Sequence, residues 1–391
     1  MRRFLADRCD GIFPSKIREV TGKVAQQKAK GIDISDFSIG RPDFDTPAHI
    51  KEAAKQALDK GLVHYPPSQG YPTYQEAVAY RMKEDFGVQI DPKYVIATVG
   101  ASQALYELLQ AIINPGDEVL APDPMYVYYG GLTFLAGGKL VPVPVSDADG
   151  FIPTAEKFEQ YVTPRTKAIL LTSPNNPTGQ VIPAEEIRKI AELAVRRDLL
   201  IIADDIYTAI IYDDTEYLPV AKIPGMLERT IIIGSFSKTY AMDGWRCGYL
   251  VMPEHLYTGA FKLQQHMISS PCSFVLHAAT AALNGPQDCV REMVAEFDRR
   301  RKLIMKYLDE GKIPYVRPRG AFYIFPDFSE FKMDSKDMAL YLLDKARIAV
   351  VPGDAFGEMG KGHIRMAFST SYEQIDAGMG RMMEVLNDLR K

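Results

Sequence analysis

The feature of this sequence that most limits its fold is an alternation of short apolar runs with helical patterns between residues 94 and 233. The runs are rich in valine, isoleucine and leucine, and several stop at a glycine or a small polar cluster, as strands do. Strands are predicted at 95–99, 118–121, 139–143, 168–172, 200–203 and 230–233. Because helices alternate with them, we expect a mainly parallel sheet covered by helices on both faces.

Helical periodicity fills the segments around these strands. One helix is predicted at 102–113 and another at 183–197, where Ile187, Ile190 and Ala194 share one face. Earlier helices are predicted at 17–30, at 47–60 and up to residue 86, the first of them with Ser15 as its N-cap. A further strand, predicted at 34–39, ends in a proline-rich turn that begins at Gly40.

The pattern changes after Asn-Gly-Pro at 284–286. A long helix is predicted at 290–310, then strands at 320–325 and 363–368 with a helix between them, and a last helix at 372–390. This order is typical of an α+β unit. We therefore expect a large domain at 45–285 and a smaller one at 286–391, which the N-terminal arm, 1–44, joins.

Composition excludes several classes of partner. The 391 residues include 46 basic and 50 acidic side chains, so the net charge of −4 predicts no nucleic-acid or membrane-surface footprint. The longest apolar runs are too short to span a bilayer, and Asp7 and Asp10 interrupt any signal-peptide core. The four cysteines form no C-x-x-C pair, which argues against a zinc site or a disulfide framework. We expect a cytoplasmic protein without a metal.

A lysine follows the last strand of the alternation. The run at 231–233 is predicted to stop at Gly234, Lys238 lies four residues beyond, and Arg246 comes eight residues later. Enzymes of the α/β class keep their chemistry outside the carboxyl ends of strands. Burial there would lower the pKa of a lysine and make it a nucleophile toward a carbonyl. The alternative is a solvated loop lysine, the usual state of this residue type.

Three other strand ends carry polar residues. Gly100-Ala101-Ser102 opens a helix, whose N-terminal N–H groups can bind a phosphate, although such a sequence is also a routine N-cap. Asparagines 175 and 176 lie between prolines, and Asp204 directly follows a buried run, where it would need a cationic partner. An anion cradle, an amine, a carboxylate and the phenol of Tyr207 together suit a phosphorylated aromatic aldehyde that is bound covalently to the lysine.

With these motifs the sequence resembles the fold-type I, pyridoxal-phosphate-dependent aminotransferases of class I, the aspartate and aromatic aminotransferase group. The resemblance covers nearly the whole chain. Its motifs occur in order as Gly40-x-Pro-Asp-Phe, Tyr65 in a proline-rich loop, Gly100-Ala-Ser-Gln-Ala-Leu, Asn175-Asn-Pro-Thr-Gly, Asp204-x-x-Tyr207, Ser235-x-x-Lys238, Gly244-Trp-Arg246 and Arg365. Eight motifs in register are specific. They imply a mainly parallel sheet between helices, a smaller α+β domain, and a homodimer with shared active sites.

The resemblance implies an aminotransferase that moves an amino group from an L-amino acid to a 2-oxo acid in a ping-pong cycle between pyridoxal 5'-phosphate and pyridoxamine phosphate. Lys238 would hold the cofactor and move the substrate's α-proton. Asp204 would pair with the pyridine nitrogen. Tyr207 and Asn176 would hydrogen-bond the ring oxygen, and Tyr126 would stack on the ring.

The remaining implied roles concern two anions. The cofactor phosphate would be bound by the Ala101 N–H, Ser102, Ser235, Arg246 and, from a second subunit, Tyr65. The substrate α-carboxylate would be bound by the two-pronged guanidinium of Arg365, together with Asn176 and the Gly40 backbone.

The sequence departs from the commonest family pattern without losing a catalytic group. Arg41 stands where an acidic residue is frequent, and Asp205 replaces a glutamate; Ala101 and the Asp243 and Cys247 flanks of Gly-Trp-Arg differ as well. The amino donor stays open, because no second cation for a dicarboxylate is evident. Aromatic residues that could line a pocket for an aromatic or aliphatic side chain are Phe13, Tyr65, Tyr126 and Phe322.

Rival interpretations are weaker or lie within the same fold. Serine acylases with Ser-x-x-Lys also need Lys-Thr-Gly, which Tyr240 breaks, and no Gly-x-Gly-x-x-Gly of a nicotinamide dehydrogenase occurs. Transcription regulators with an aminotransferase-like sensor carry a DNA-binding module, whereas about forty residues precede Gly40. A C–S lyase or another pyridoxal-phosphate enzyme of the same fold stays possible, since Lys238 and Arg365 are common to all of these.

Overall fold

The computed structural model describes residues 4–12 and 16–391, and between 16 and 21 the backbone alone. Ser15, predicted as an N-cap, and Phe13, predicted as a pocket residue, lie outside the described residues. The α-helices are α1 Lys16–Ala29, α2 Ala48–Asp59, α3 Pro72–Phe86, α4 Ala101–Ile112, α5 Tyr129–Leu135, α6 Ala155–Glu159, α7 Ala184–Arg196, α8 Phe236–Thr239, α9 Glu254–Met267, α10 Ser273–Asn284, α11 Asp288–Glu310, α12 Ser335–Tyr341 and α13 Tyr372–Leu389.

The strands form one large and two small sheets. They are β1 Ser35–Asp36, β2 Val95–Thr98, β3 Glu118–Asp123, β4 Lys139–Pro144, β5 Thr166–Thr172, β6 Leu200–Asp204, β7 Thr230–Ser235, β8 Gly248–Val251, β9 Tyr323–Ile324, β10 Ile348–Ala349, β11 Val351–Pro352 and β12 Ile364–Ala367. In the described part of the chain, no helix is both long and apolar enough to cross a membrane.

The central sheet has the strand order β2-β8-β7-β6-β5-β3-β4. Its strands pair in parallel except at β8, which is antiparallel to both of its neighbours. The predicted mainly parallel sheet is therefore confirmed. The predicted end of β7 at Gly234 is wrong: Gly234 pairs with Tyr249 of β8. A Cβ added at Gly234 would lie 2.0 Å from the Tyr249 ring, so this glycine makes room for a strand that the sequence did not predict.

Helices cover both faces of this sheet because each strand alternates its side chains between the faces. In β6, Ile201 packs with α7 residues such as Ile187, whereas the adjacent Ile202 packs with α4 residues such as Leu108. The apolar face predicted for α7, with Ile187, Ile190 and Ala194, is the one that is buried. The large sheet is thus held between two apolar layers, and its strand ends are free to carry polar groups.

The C-terminal part contains the antiparallel sheet β11-β12-β9, and β1 near the N-terminus pairs in parallel with β10. The strand predicted at 34–39 is reduced to Ser35–Asp36. The one predicted at 320–325 is reduced to Tyr323–Ile324, because Ala321 has a φ of +54°, which a strand excludes. The domain boundaries at 45 and 286 stay a prediction.

A buried ion cluster joins the loop after β6 to the C-terminal part. The Arg301 side chain is 0% exposed and donates to both carboxylate oxygens of Asp213, at 2.9 and 2.8 Å. Arg317 and Arg319 also donate to Asp213, and Arg301 has a second carboxylate partner in Asp298. The Arg301 hydrogen bonds hold the pKa of Asp213 well below its usual range. A fully buried arginine therefore depends on this carboxylate for much of its charge balance.

We expect Asp213→Asn to lower the free energy of unfolding by about 2–4 kcal/mol, because it leaves part of a buried charge uncompensated. Asparagine keeps the side-chain shape and tolerates the φ of +58° at this position. Because the folded carboxylate has a lowered pKa, its contribution is present above the unfolded value of about 3.9 and is lost as the pH falls. The difference between wild type and variant should therefore narrow below about pH 4 in urea titrations.

Asp198→Asn is the matched control. Asp198 also has a positive φ, of 51°, and pairs with Arg229, but its side chain is 96% exposed. An exposed ion pair contributes about 1 kcal/mol or less, so this variant should stay close to wild type. Equal losses in the two variants would contradict the importance of the Asp213 cluster.

Candidate active site

A cavity of about 300 Å³ lies at the carboxyl ends of β2, β3, β5, β6 and β7. Of the twelve residues that the sequence predicts for the site, the structure brings eleven to the wall of this cavity. They are Gly40, Ala101, Ser102, Tyr126, Asn176, Asp204, Tyr207, Ser235, Lys238, Arg246 and Arg365. The exception is Tyr65, which is 91% exposed and does not line the cavity of its own chain.

Lys238 lies in the short helix α8, directly after β7. Its Nζ donates to the carbonyl oxygen of Gly40 at 2.5 Å. Burial lowers the pKa of Lys238 to about 8, against an opposing effect of Asp243 and with smaller contributions from Arg365 and Arg246. In a large fraction of the molecules the Lys238 amine is therefore neutral at mildly alkaline pH, as a nucleophile requires.

Asp204 is the last residue of β6 and is buried. Its Oδ2 accepts a hydrogen bond from the hydroxyl of Tyr129, and its Oδ1 is buried without a hydrogen-bond partner in the part of the chain that the structure describes. Burial raises the pKa of Asp204 to about 6, although the Tyr129 bond opposes that shift. The cationic partner expected for this carboxylate is not supplied by the described residues. One carboxylate oxygen is thus left for a donor in the cavity.

Tyr129 is a site residue that the sequence interpretation missed. It lies in the first turn of α5, is buried, and its hydroxyl also lies 2.5 Å from the Thr172 hydroxyl. The signal in the sequence was the run of tyrosines at 126, 128 and 129, which follows a strand end. Nothing in that run shows that the third tyrosine reaches a residue 75 positions further along the chain.

An anion cradle forms where α4 begins. Gly100 has a φ of +78°, and a Cβ at this position would lie 2.6 Å from Nη2 of Arg246, so glycine is required for the guanidinium to lie against the start of the helix. Arg246 is held by the carbonyl oxygen of Asp243 at 2.9 Å. Ser102 and Ser235 line the same cavity, and the Ser235 hydroxyl accepts a hydrogen bond from the N–H of Ser237 at 3.1 Å. Free N–H groups at a helix N-terminus, a guanidinium and hydroxyls suit a phosphate.

Arg365 lies on β12, is buried, and lines the same cavity as the cradle. It donates to the carbonyl oxygen of Ser38 at 2.6 Å and to Oδ1 of Asn176 at 3.4 Å, while its Nε has no hydrogen-bond partner among the described residues. Its guanidinium carbon lies 4.7 Å from the centre of the Tyr323 ring and 5.1 Å from that of Phe356. Burial lowers the pKa of Arg365, but an arginine stays charged.

The structure shows where Phe322, which the sequence offers as a pocket residue, and Arg41, which departs from the family pattern, are located. Phe322 is fully buried in the core and does not line the cavity, whereas the next residue, Tyr323, does. The Phe322 ring packs against the rings of Tyr323 and Tyr207, with 4.8 and 5.6 Å between ring centres. The Arg41 side chain is 63% exposed and lies 4.0 Å from the carboxylate of Asp243 at the cavity wall, so it remains largely solvated.

These groups fit pyridoxal phosphate. The unpartnered Oδ1 of Asp204 can accept from a pyridinium N–H, the desolvated Lys238 can bond to an aldehyde carbon, and the cradle at Gly100 can hold the phosphate. A mainly parallel sheet with this set of groups at the carboxyl ends of its strands defines a pyridoxal-phosphate-dependent enzyme of fold type I.

Comparison with known proteins agrees with this assignment of the site. Residues 32–382 match the family model for aminotransferase class I and II. The aspartate aminotransferase of Pyrococcus abyssi is 42% identical over 387 residues, and aromatic-amino-acid aminotransferase 2 of Thermococcus litoralis is 41% identical over 388 residues; each comparison covers 98% of both chains. The structure of aspartate aminotransferase from Thermus thermophilus with maleate matches with a TM-score of 0.93 at 36% identity, over 98% of this chain and 100% of that one.

The chain therefore belongs to the class I and II aminotransferase family. It is a pyridoxal-phosphate-dependent aminotransferase, as the sequence motifs predicted.

The lowered pKa of Lys238 leads to a pH-dependent prediction. The rate at which the cofactor-free protein combines with pyridoxal phosphate should rise with pH and level off above pH 8, because the neutral amine attacks the aldehyde and the pKa is about 8. Stopped-flow absorbance measures this rate. In Asp243→Asn the midpoint should move to lower pH, because Asp243 raises the pKa of Lys238. A midpoint near the ordinary lysine value of 10.5 would contradict the buried state of the amine.

Proposed function

We propose that this aminotransferase works through Lys238, Asp204 and Arg365, which face one cavity from three different elements. The observation that carries the proposal is their convergence: a desolvated amine, a carboxylate with an unpartnered oxygen and a guanidinium with an unpartnered Nε line the same 300 Å³ space. When bound, pyridoxal phosphate supplies an electron sink for the negative charge that develops at the substrate's α-carbon. The residues below bind, orient and move protons around it.

Lys238 is the proposed cofactor-binding amine and acid–base group. In its neutral form the Nζ would take the α-proton from the substrate and deliver it to the C4′ carbon of the cofactor. Its location in the first turn after β7, with the Gly40 carbonyl as acceptor, keeps the amine at the edge of the sheet. A pKa of about 8 is close to the working pH and therefore suits both the taking and the giving of a proton.

Asp204 is proposed to hold the pyridine nitrogen in its protonated form. A cation next to this buried carboxylate would lower the carboxylate's pKa from its raised value, because an opposite charge favours the ionised state. Tyr129 fixes the other oxygen of Asp204. Tyr207 and Asn176 are proposed to hydrogen-bond the ring oxygen, and Tyr126 to stack on the ring face.

Two cationic sites are proposed for the two anions of the reaction. The phosphate is assigned to the Ala101 N–H, Ser102, Ser235 and Arg246, which share the wall of the cavity at the start of α4. The substrate α-carboxylate is assigned to Arg365, with Asn176 and the backbone of Gly40 beside it. Because both sites line one cavity together with Lys238, a substrate bound between them would be oriented with its α-carbon toward the amine.

We propose an aromatic L-amino acid as the preferred amino donor. Among the described residues that line the cavity, the cations are Lys238, Arg246 and Arg365, and each already has a role. Of the wall residues without an assigned role, most are apolar or aromatic, namely Leu105, Val127, Tyr128, Ile206 and Tyr323; the others are Ser38, Ser237 and Asp243. The relative from Thermococcus litoralis is named as an aromatic-amino-acid aminotransferase, which agrees with this choice, whereas the relative from Pyrococcus abyssi is named as an aspartate aminotransferase.

A donor screen tests this assignment. With 2-oxoglutarate and pyruvate as acceptors, kcat/KM for phenylalanine or tyrosine should exceed that for aspartate by about tenfold or more, as burial of an aromatic side chain against apolar walls predicts. Lys238→Ala should lose both the activity and the visible absorption of the bound cofactor.

Faster reaction with aspartate would overturn the proposed donor but leave the aminotransferase assignment intact. Release of ammonia and pyruvate from cysteine conjugates, without any transamination product, would instead favour a C–S lyase.

We propose that the enzyme is a homodimer in which Tyr65 reaches the phosphate site of the partner. Tyr65 is the most exposed of the large apolar side chains in the described residues, at 91%. Leu58, Leu62 and Val63, just before it, are also exposed. A run of exposed apolar residues of this kind is typical of a protein–protein interface. The same loop is fixed to the sheet because the N–H of Ala97 in β2 donates to the carbonyl oxygen of Gln69 at 2.9 Å.

Hybrid dimers test this arrangement. Tyr65→Ala should weaken cofactor binding by about tenfold, the effect of losing one hydrogen bond to a charged group. A hybrid of a Tyr65→Ala chain with a Lys238→Ala chain contains one site with both native residues, and that site should bind the cofactor with wild-type affinity. Binding as weak as in the Tyr65→Ala parent would place Tyr65 in its own subunit. Tyr80→Ala, at another exposed tyrosine, is the control, and sedimentation should give twice the mass of the 391-residue chain.

Two further assignments are proposals. Cytoplasmic location is supported by four free cysteines, which suit a reducing compartment. A division into a large domain at 45–285 and a smaller one made of 1–44 and 286–391 is supported by one apolar cluster, in which Phe37 packs with Phe297, Ile348 and Met379.

A further inference from the structure

Tyr323 connects two parts of the active site that have no direct contact in the proposed mechanism. Its side chain is buried, it lines the cavity, and its hydroxyl oxygen lies 2.9 Å from the hydroxyl oxygen of Tyr207. The centre of its ring lies 4.7 Å from the guanidinium carbon of Arg365. One tyrosine thus touches both the phenol proposed to face the cofactor and the cation proposed to bind the substrate.

The register of the small sheet places Tyr323 there. Tyr323 of β9 is directly opposite Ala367 of β12, so Arg365, two residues before Ala367, lies diagonally across from it on the same face. Gly40 makes room for the hydroxyl, because a Cβ at Gly40 would lie 2.6 Å from the Tyr323 oxygen. The contact with Tyr207 then joins residues 116 positions apart.

The hydrogen count at this contact decides the direction of the bond. Burial raises the pKa of both phenols, so each holds its single hydrogen at neutral pH. If Tyr207 donates its hydrogen into the cavity, its oxygen can only accept from Tyr323. Tyr126 and Arg365 are the other ionisable groups that act on Tyr207, and among the described residues neither forms a hydrogen bond with its hydroxyl. Tyr323 is therefore the donor available to orient it.

We propose that Tyr323 is a positioning residue with two separable effects: its hydroxyl donates to Tyr207 and directs the Tyr207 hydrogen toward the cofactor's ring oxygen, while its ring fixes Arg365 for the substrate carboxylate. The inference rests on the roles proposed above for Tyr207 and Arg365. A donated hydrogen bond polarises the accepting hydroxyl and makes it a better donor. The Arg365 guanidinium, which also lies near Phe356, is held in place by stacking and so can bind a carboxylate with little reorganisation.

Two substitutions separate the effects. Tyr323→Phe removes the hydroxyl and keeps the ring, whereas Tyr323→Leu removes both. The first measurement is the pH at which the visible absorption of the Lys238-bound cofactor changes. A hydrogen bond from Tyr207 to the ring oxygen reduces the negative charge on that oxygen. Because this charge stabilises the protonated nitrogen that joins Lys238 to the cofactor, a weaker hydrogen bond favours the protonated form. Loss of the Tyr323 hydroxyl should therefore raise the midpoint by about 0.5 pH unit. Tyr207→Phe should raise it further.

The second measurement is the dissociation constant of 3-phenylpropionate, which offers a carboxylate and an aromatic side chain but no amine. Tyr323→Phe should bind it within about twofold of wild type, because the ring under Arg365 remains. Tyr323→Leu should bind it about three- to fivefold more weakly, the effect expected for loss of one cation–π contact.

Tyr212→Phe is the matched control. Tyr212 is buried in the same apolar cluster, and its hydroxyl donates to the carbonyl oxygen of Ala321 at 2.5 Å, so the substitution also removes one buried hydrogen bond. It should lower the melting temperature as Tyr323→Phe does, yet leave both the absorption midpoint and the ligand affinity unchanged. An equal change of the midpoint in Tyr212→Phe would indicate a merely structural effect and overturn the proposal.

The outcomes are distinguishable. If Tyr207→Phe shifts the absorption midpoint and Tyr323→Phe does not, the inference about the Tyr323 hydroxyl is wrong while the role of Tyr207 stands. If Tyr207→Phe also leaves the midpoint unchanged, the proposed role of Tyr207 fails first. Equal affinities of Tyr323→Phe and Tyr323→Leu for 3-phenylpropionate would overturn the role of the ring.

Discussion

The burial of incompletely paired charges at one edge of the sheet is the constraint on which this structure depends. Asp204 and Arg365 are buried and Lys238 is partly buried, and both Asp204 Oδ1 and Arg365 Nε are without hydrogen-bond partners among the described residues. Burial of such groups costs several kcal/mol each, so the apolar layers on the two faces of the sheet must offset that cost. A ligand with groups of opposite charge would remove part of this free-energy cost when it binds in the cavity. The protein should therefore be more stable with such a ligand bound.

The same burial explains the directions of the pKa shifts. Desolvation disfavours the charged form, so the pKa of Lys238 is lowered and that of Asp204 is raised, although these groups have opposite charges. Asp213 behaves differently because three arginines surround it, and its pKa is lowered. The cationic partners of Asp213 belong to the chain, and this carboxylate joins parts of the fold. The cationic partner of Asp204 is expected to be a ligand.

The sequence predicted the large sheet and nearly all of the cavity wall because both depend on local patterns. Short continuous apolar runs mark strands that are buried on both faces, and the polar residues just beyond them must meet at one edge. β8 was missed because its four residues, Gly248–Val251, have no flanking pattern and gain their identity from pairing with β2 and β7. Tyr129 and Tyr323 were missed for a related reason: their roles arise from contacts with residues 75 and 116 positions away. Side-chain contacts of that range leave no periodic signal.

The reversed direction of β8 has a consequence for the geometry of the site. Because β8 returns beside β7, the chain between Lys238 and Gly248 leaves and re-enters the sheet at the same edge. The amine of Lys238 and the guanidinium of Arg246 are therefore spaced by one short connection, which contains the single turn Asp243–Trp245. The length of this connection sets the distance between the two groups. A residue inserted or deleted within it would displace the amine relative to the phosphate cradle. A change of length at the opposite edge, for example between α7 and β6, would leave that spacing intact, so the two edges of one sheet should differ sharply in the insertions and deletions that they tolerate.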